Sequence, residues 1–397
     1  MKTVELVVLW SSLAVALYAY VLYPLVMALA SSFARRVAES PELDGTRMFD
    51  WPKVSLLIAT ECEESVIVDR LRNASALNYP ADRLEILVGC DGDGDLTALL
   101  ARSFEDPRVK VVQHSERRGA AAVLNECTVK ASGEILVFSD VNTMMRPDAV
   151  RRLARHFQQG NVGAVCGKLL PIDPTTGRDL SGLVWKFETS LSRCEARLGA
   201  LSRINSGIYA VRKSLYVPLS ENGSRRKRIT VRNAERRRYE LIYDDTAIAV
   251  EETPPTIEVA YRARMKSGAD ARRGLEQLSS YFGARSTAMV LASRLHRRLR
   301  QVCPALLLAA FVSNACLSND PFYLRLLLLH ELFYLLALVG LFFATGSRWR
   351  RTMRVPAQLG AKCLGIAQWT WQAIPSLRRH SAKPTAKKRA AANSGAR

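Results

Sequence analysis

Three short apolar runs, separated by polar stretches with helical spacing, define the central part of the chain. The runs are Val54–Ala59, Leu84–Val88 and Ile135–Phe138, and none alternates strictly between apolar and polar residues. Continuous apolar runs of this length are typical of strands covered by helices on both faces. Helical spacing follows in Ser65–Leu77 and Leu96–Phe104. The order strand, helix, strand therefore predicts an α/β domain with βαβ units, a mostly parallel sheet and helices on both faces.

The N-terminal region has a different pattern, because no charged residue occurs over Leu6–Phe33. A helix of roughly 20 apolar residues is long enough to cross a bilayer. A cleaved signal peptide is the alternative, with Ala28–Ala30 as its cleavage site, but the apolar region of a signal peptide usually has only about 7 to 15 residues. We therefore predict a retained transmembrane anchor over residues 1–36.

Two further apolar segments, Cys303–Leu317 and Leu326–Ala344, are joined by a turn-like polar sequence. They predict a transmembrane helical hairpin over residues 301–346. The polar pair His330 and Glu331 leaves a re-entrant or interfacial helix as the alternative. Basic residues flank the outer ends of the hairpin, and basic flanks favour the cytoplasmic side of a membrane. We therefore expect a multi-pass protein of a plasma or inner membrane, with the domain over residues 50–300 in the cytoplasm.

The C-terminal residues have the composition of surface segments. Residues 347–375 mix tryptophan and aliphatic residues with lysine, arginine and glutamine, which predicts a basic helix lying in the membrane interface. Residues 376–397 are basic, small and polar, which predicts a disordered tail.

The formal net charge of +20 narrows the choice of partners. So basic a chain suggests nucleic acid, but basic clusters beside apolar spans more often face anionic lipid. We therefore expect membrane lipids, and no nucleic acid, as partners. The eight cysteines show no paired spacing and the five histidines are scattered, which disfavours a zinc site and suits reduced thiols. The chain also has no G-x-x-x-x-G-K-[ST] phosphate-binding loop.

Polar side chains follow two of the predicted strands. Asp91 comes after Leu84–Val88, and Asp140, with Asn142 two positions later, comes after Ile135–Phe138. The carboxyl ends of parallel strands meet at one edge of a sheet, where ligands bind. Carboxylate oxygens there can hold a divalent metal whose other ligands are phosphate oxygens, so the sequence predicts a diphosphate substrate. The alternative is that both aspartates only stabilise turns or helix starts, which are common at strand exits.

From residue 52 to about residue 275, the order of these motifs resembles the membrane-anchored family 2 glycosyltransferases of the GT-A fold, in the polysaccharide-synthase-like branch. The resemblance is carried by VSLLIATECEES, LNYPADRLEILVGCDGDGD, DPRVKVV, RRGAAAVLNECTVKASGEILVFSDVNT, RPDAVRRLARHF, INSGIYAVRKSLY and EETPPTIEVAYRARMKSG. It implies a GT-A domain that binds a nucleotide-sugar donor, usually a UDP-sugar, with Mg²⁺ or Mn²⁺ on the diphosphate.

The resemblance also implies roles for individual residues. Asp140 and Asn142 match the Asp-x-Asp metal element, in which asparagine as the second member is a tolerated variant. A basic segment matches the region that neutralises the leaving diphosphate, although the tryptophan of that region is absent here. The implied nucleotide-sugar site consists of Asp91, Asp93, Glu63, Arg264 and Lys266.

The chain departs from the family at the catalytic base. Arg226 and Lys227 stand where the family carries an acidic pair whose aspartate is the general base. Inverting transfer needs that carboxylate to take the proton of the acceptor hydroxyl, and a positioned base typically contributes about 10²- to 10⁴-fold. Arginine cannot accept that proton. The base is therefore unknown from the sequence, and the candidates are Asp244, Asp245 and Glu221.

Three interpretations follow. The first is a membrane-bound transferase that moves a sugar from a nucleotide-sugar to a glycan or lipid-linked acceptor in cell-surface polysaccharide synthesis. The second is a catalytically silent homologue that binds a nucleotide or assembles with a synthase subunit. The third is a basic membrane-surface scaffold, which would not need Asp91, Asp140 and Asn142 together at a sheet edge.

Overall fold

The computed structural model describes residues 2–33, 50–60, 63–92, 96–114, 116–173, 176–177, 179, 181, 183–199, 207–216, 218, 239–252 and 287–342. The chain divides into two compact units. The smaller unit combines Met1–Leu25, Gly182–Val184 and Leu295–Arg397, and the larger unit combines Val26–Ser181 and Trp185–Arg294.

Strands and helices alternate along the larger unit. The strands are β1 (Val54–Thr60), β2 (Leu84–Cys90), β3 (Val109–Gln113), β4 (Ile135–Asp140), β5 (Thr143–Met145), β6 (Val162–Ile172), β7 (Tyr209–Arg212) and β8 (Glu240–Glu252). The helices of the whole chain are α1 (Lys2–Leu17), α2 (Tyr23–Phe33), α3 (Glu64–Ser75), α4 (Leu96–Arg102), α5 (Ala120–Lys130), α6 (Ala149–Ala154), α7 (Leu183–Arg197), α8 (Thr287–Cys316) and α9 (Pro321–Phe342).

The strands form one mixed sheet in the order β3-β2-β1-β4-β7-β6-β8-β5. Strand β1 pairs in parallel with β2 and with β4, and β2 pairs in parallel with β3. Strand β7 is antiparallel to both β4 and β6, whereas β8 runs parallel to β6 and antiparallel to β5. The predicted α/β architecture with a mixed sheet is confirmed.

Both faces of the parallel strands are buried, which explains their continuous apolar sequences. Leu56 and Ile58 of β1 pack into one hydrophobic cluster with Ile67 and Leu71 of α3, whereas Leu57 packs into a second cluster on the opposite face. Successive side chains of a strand point to opposite faces, so a strand covered on both faces needs apolar residues at every position.

The strand order reverses its direction at β1. From β1 the chain proceeds outward to β2 and β3 and then returns to place β4 on the other side of β1. The connections after β1 and β4 therefore lead away from each other. In open α/β sheets, ligands bind outside the carboxyl ends of the strands at such a switch point.

The N-terminal helix contains a π-helical turn, Tyr18–Leu22, between α1 and α2. The N–H of Tyr23 donates to the carbonyl oxygen of Tyr18 across this turn. Pro24 follows and has no N–H to donate to the preceding turn, and a π turn is one way in which a helix continues past such a residue. Lys2–Phe33 is long and apolar enough to cross a membrane, as predicted for the anchor.

The region predicted as a hairpin consists of two long helices, α8 and α9. Phe311 of α8 packs edge-to-face on Tyr334 of α9, with ring centroids 5.7 Å apart. Within the described residues, α8 is long and apolar enough to cross a membrane only if Leu291–Arg300 and Ala305–Cys316, which meet at 55°, form one bent span. Several transmembrane crossings are therefore not established. The segments 347–375 and 376–397 lie outside the described residues.

Candidate functional site

The predicted metal residues lie beside the switch point. Asp140 ends β4 and pairs in register with Ala59 of β1. Asn142 lies in the short turn between β4 and β5, and its Nδ2 donates to Oε1 of Glu63 over 3.2 Å. The backbone N–H of Glu63 in turn donates to Oγ1 of Thr97, over 3.0 Å. Residues predicted from two distant motifs are therefore brought together.

Asp91 is buried directly after β2, with 4% of its surface exposed. Its Oδ1 accepts from the backbone N–H of Arg118 over 2.7 Å, and its Oδ2 accepts from that of Gly119 over 2.8 Å. Gly119 precedes α5 with φ at 88° and ψ at 156°, a conformation open almost only to glycine. Each carboxylate oxygen has a second lone pair for a ligand. Asp91 thus fixes the loop that leads into α5.

The donor set at the turn fits a hard divalent cation. Asp140 and Glu63 offer carboxylate oxygens and Asn142 offers an amide oxygen, which are the ligands that Mg²⁺ and Mn²⁺ prefer. In the described part of the chain, no group of three or more histidine, cysteine, aspartate or glutamate side chains is placed to hold a metal.

The two described candidates for the base have different surroundings. Asp244 is buried, and its carboxylate accepts from His156 at 2.8 Å, from Arg155 at 2.9 Å and from the N–H of Thr246 at 2.9 Å. Burial alone would raise the pKa of Asp244, but the hydrogen bonds from His156 and Thr246 and the charge of Arg155 outweigh burial and hold this pKa well below its usual range. These contacts favour a structural role.

Asp245 lies on the same strand and is much more open. Its carboxylate pairs with the guanidinium of Arg193 on α7, and about two fifths of each side chain is exposed, 40% for the aspartate and 43% for the arginine. Asp245 therefore has access to a ligand, which the buried Asp244 lacks.

The other predicted residues lie outside the described part of the chain. They are Asp93, Glu221, Arg264 and Lys266, together with Arg226 and Lys227 at the position of the family's base.

The sequence analysis did not identify Arg70, a buried cation that interacts electrostatically with Asp140. Arg70 of α3 has no exposed surface, and its Nη1 donates to Oδ1 of Asn73 over 3.1 Å. The signal was present in the sequence, because Arg70 falls among Ile67, Leu71 and Ala74 on the apolar stripe of the helix. An arginine in such a stripe is rarely buried without a reason.

Comparison with known proteins gives the family of this domain. The model "Glycosyl transferase family 2" matches residues 55–216. The chain is 31% identical over 144 residues to the beta-monoglucosyldiacylglycerol synthase of Trichormus variabilis, covering 35% of this chain and 30% of that protein. It is 29% identical over 170 residues to the poly-beta-1,6-N-acetyl-D-glucosamine synthase of Staphylococcus epidermidis, covering 40% and 39%. The matched parts are thus well under half of these relatives.

A solved structure extends the comparison to the fold. The mannosyltransferase PcManGT from Pyrobaculum calidifontis, in complex with GDP-Man and Mn²⁺, aligns with a TM-score of 0.62 over 90% of this chain and 98% of that chain, at 20% identity. At that identity the likeness shows a shared, GT-A-like fold. The family match therefore applies to residues 55–216, which form a glycosyl transferase family 2 domain, and the structural likeness adds the fold alone.

Proposed function

We propose that the protein transfers a sugar from a nucleotide-diphospho-sugar to a lipid or glycan acceptor at a membrane. The observation that carries the proposal is the hydrogen bond between Asn142 and Glu63 beside the switch point of the sheet, where Asp140 ends β4. Oxygen ligands at this place suit a metal bound to a diphosphate.

Each residue has a task in this proposal. Asp140, with Asn142 and Glu63 beside it, would hold Mg²⁺ or Mn²⁺, which neutralises charge on the departing diphosphate when bound. Asp91 holds the loop before α5 and offers its remaining lone pairs to the ribose or base. We take a UDP-sugar as the donor, as the family resemblance implies, while the mannosyltransferase neighbour carries GDP-Man. Arg264 and Lys266 would neutralise the diphosphate, and Asp93 would complete the nucleotide site.

The N-terminal helix supports a membrane location. Its large apolar side chains are exposed along its whole length, including Val7, Trp10, Leu25 and Phe33. A contiguous apolar surface of this kind is unfavourable in water and favourable in lipid. We propose that the helix anchors the protein and that the acceptor is reached at the membrane surface.

A second function, nucleotide binding without transfer, is favoured by the surroundings of the candidate bases. Asp244 is buried and accepts hydrogen bonds from His156 and Thr246, and Asp245 is paired with Arg193. A domain that binds the donor but lacks a base would act as a binding or assembly partner of a synthase.

The test is transfer in membranes that contain the full-length protein. Membranes are incubated with Mn²⁺ and radiolabelled UDP-glucose, UDP-N-acetylglucosamine or GDP-mannose, and label is measured in the lipid extract and in the polymer fraction. Label that depends on the wild-type protein and is lost in Asp140→Ala supports transfer. Donor binding without label in either fraction supports the silent function. Absence of both binding and transfer would overturn the proposal.

The same assay examines the base. We expect Asp244→Asn to reduce transfer only as far as it reduces folded protein. Loss of transfer in Asp245→Asn, with donor binding retained, would assign the base to Asp245.

A further inference from the structure

Arg70 is a charged side chain whose guanidinium makes few hydrogen bonds with the described residues. It is fully buried, and its Nε and Nη2 have no hydrogen-bond partner among the described residues. Nη1 donates to Asn73, which is its partner within the described part of the chain. An arginine in this condition costs free energy, because a buried donor without an acceptor loses its bonds to water.

Arg70 lies on the helix that follows β1, and Asp140 ends the strand that pairs with β1. Side chains of a helix tilt toward its N-terminus, and α3 begins at the carboxyl edge directly after β1. Arg70 attracts the Asp140 carboxylate electrostatically. Burial lowers the pKa of Arg70 to about 10, with the charge of Asp140 opposing that change, so the side chain stays cationic at neutral pH.

Arg70 is also tied to the strand on the far side of the turn. Asn73, its partner, donates to the carbonyl oxygen of Met145 over 2.9 Å and accepts from the N–H of Met145 over 2.8 Å. Asn73 thereby fixes β5, which begins one residue after Asn142. Arg70 is thus linked to Asp140 through its charge and to β5 through its hydrogen bond with Asn73.

A second buried polar group lies at the same edge. Thr60 ends β1 directly after Ala59, the register partner of Asp140, and is 2% exposed. Its Oγ1 also has no hydrogen-bond partner in the described part of the chain. Thr60 and Arg70 therefore both carry buried donors that have no acceptor among the described residues.

We propose that Arg70 is a positioning residue of the donor site, whose unused N–H groups hold one oxygen of Asp140 so that the other faces the metal of the bound nucleotide. The inference rests on the proposed function. Partners that orient a metal-binding carboxylate from behind typically contribute 10- to 100-fold in metal affinity. The free-energy cost of burying Arg70 with unbonded N–H groups then applies to the ligand-free site alone.

The test compares three arginine variants of the full-length protein. Arg70→Met keeps the volume and removes the charge, Arg70→Lys keeps the charge and removes the planar fork, and Arg72→Met is the matched control. Arg72 lies on the same helix, with 69% of its side chain exposed and a 2.8 Å pair to Asp69. Binding of Mn²⁺ is measured by titration at saturating UDP and again at saturating GDP, and thermal unfolding is recorded beside it.

We expect Arg70→Met to weaken Mn²⁺ binding by about 10- to 100-fold while its unfolding temperature stays equal or rises, because methionine removes the buried Nε and Nη2 groups that have no acceptor among the described residues. Arg70→Lys should fall between this variant and the wild type, and Arg72→Met should match the wild type. A purely structural arginine would instead lower the unfolding temperature and leave the Mn²⁺ affinity of the folded fraction unchanged.

The outcomes separate this inference from the proposed function. Wild-type binding that is lost in Asp140→Ala but unchanged, or tighter, in Arg70→Met would overturn the role of Arg70 alone. No Mn²⁺-dependent nucleotide binding by the wild type would overturn both. If Arg70→Met does not fold, Arg70→Lys decides: weaker Mn²⁺ binding with an unchanged circular dichroism spectrum supports the role, and wild-type affinity refutes it.

Discussion

Asp91→Asn is the substitution whose effect follows most directly from the structure. The aspartate is buried and uses both carboxylate oxygens to accept from backbone N–H groups of the loop before α5, at 2.7 and 2.8 Å. Asparagine has the same shape but only one acceptor oxygen. Its amide N–H₂ must therefore face the N–H of either Arg118 or Gly119, and one backbone donor loses its acceptor inside the protein.

The magnitude follows from these two bonds. A hydrogen bond to a charged group contributes about 1.5 to 3 kcal/mol, and a neutral one about half as much. Losing one charged bond and weakening the other should lower the free energy of unfolding by about 2 to 4 kcal/mol. The loop into α5 should loosen as well, so we expect weaker nucleotide binding together with lower stability.

The assay is urea unfolding of the full-length protein in mild detergent, with nucleotide binding measured on the same samples. Asp82→Asn is the matched control, because Asp82 is 79% exposed and its contact with Arg83 is 3.6 Å long. A surface change of this kind usually stays within about 0.5 kcal/mol. Unchanged stability in Asp91→Asn with nucleotide binding abolished would refute the reasoning, since Asp91 would then act on the ligand alone.

Three other substitutions test the electrostatics and backbone of the domain. Asp244→Asn should cost roughly 3 to 5 kcal/mol at pH 7, because Arg155 and His156 lose a buried partner. A depressed carboxylate pKa stabilises the folded state above the unfolded value of about 3.9, so the difference from wild type in unfolding experiments should shrink as the pH falls below about 4 and should not grow. Asp245→Asn, next along the strand, removes only a half-exposed ion pair and should change urea unfolding by at most about 1 kcal/mol. Gly119→Ala meets no atom within 4 Å of the new Cβ, so its expected cost of about 1 to 3 kcal/mol in thermal unfolding is backbone strain at φ 88°, and an unaffected midpoint would contradict it.

The strands could be predicted because a strand that is buried on both faces has a continuous apolar sequence. Leu56, Leu57 and Ile58 enter different clusters on opposite faces of the sheet, so the run must be apolar throughout. The acidic residues at the strand ends were also predictable, since parallel strands end at one edge. The predicted strand ends were short by one or two residues, because Thr60, Cys90 and Asp140 continue the ladder with less apolar side chains.

Contacts within the site could not be predicted in the same way. Glu63 and Asn142 are 79 positions apart, and their hydrogen bond depends on β4 lying next to β1. No local pattern encodes that neighbour relation. Likewise, the spacing of α3 shows that Arg70 belongs to the apolar stripe, but its electrostatic interaction with Asp140 depends on the order of strands in the sheet. The sequence suggested Asp244 as a candidate base. In the structure, Arg155 and His156 from a distant segment bind its carboxylate, which is not accessible.

The most direct test of the central claim is calorimetric titration of the detergent-purified, full-length protein with UDP in the presence of Mn²⁺, beside the Asp140→Ala variant. The account predicts saturable, Mn²⁺-dependent binding by the wild type and its loss in the variant, with the same circular dichroism spectrum for both. Equal binding by the two proteins, or none by a folded wild type with either UDP or GDP, would contradict a donor site at this edge of the sheet.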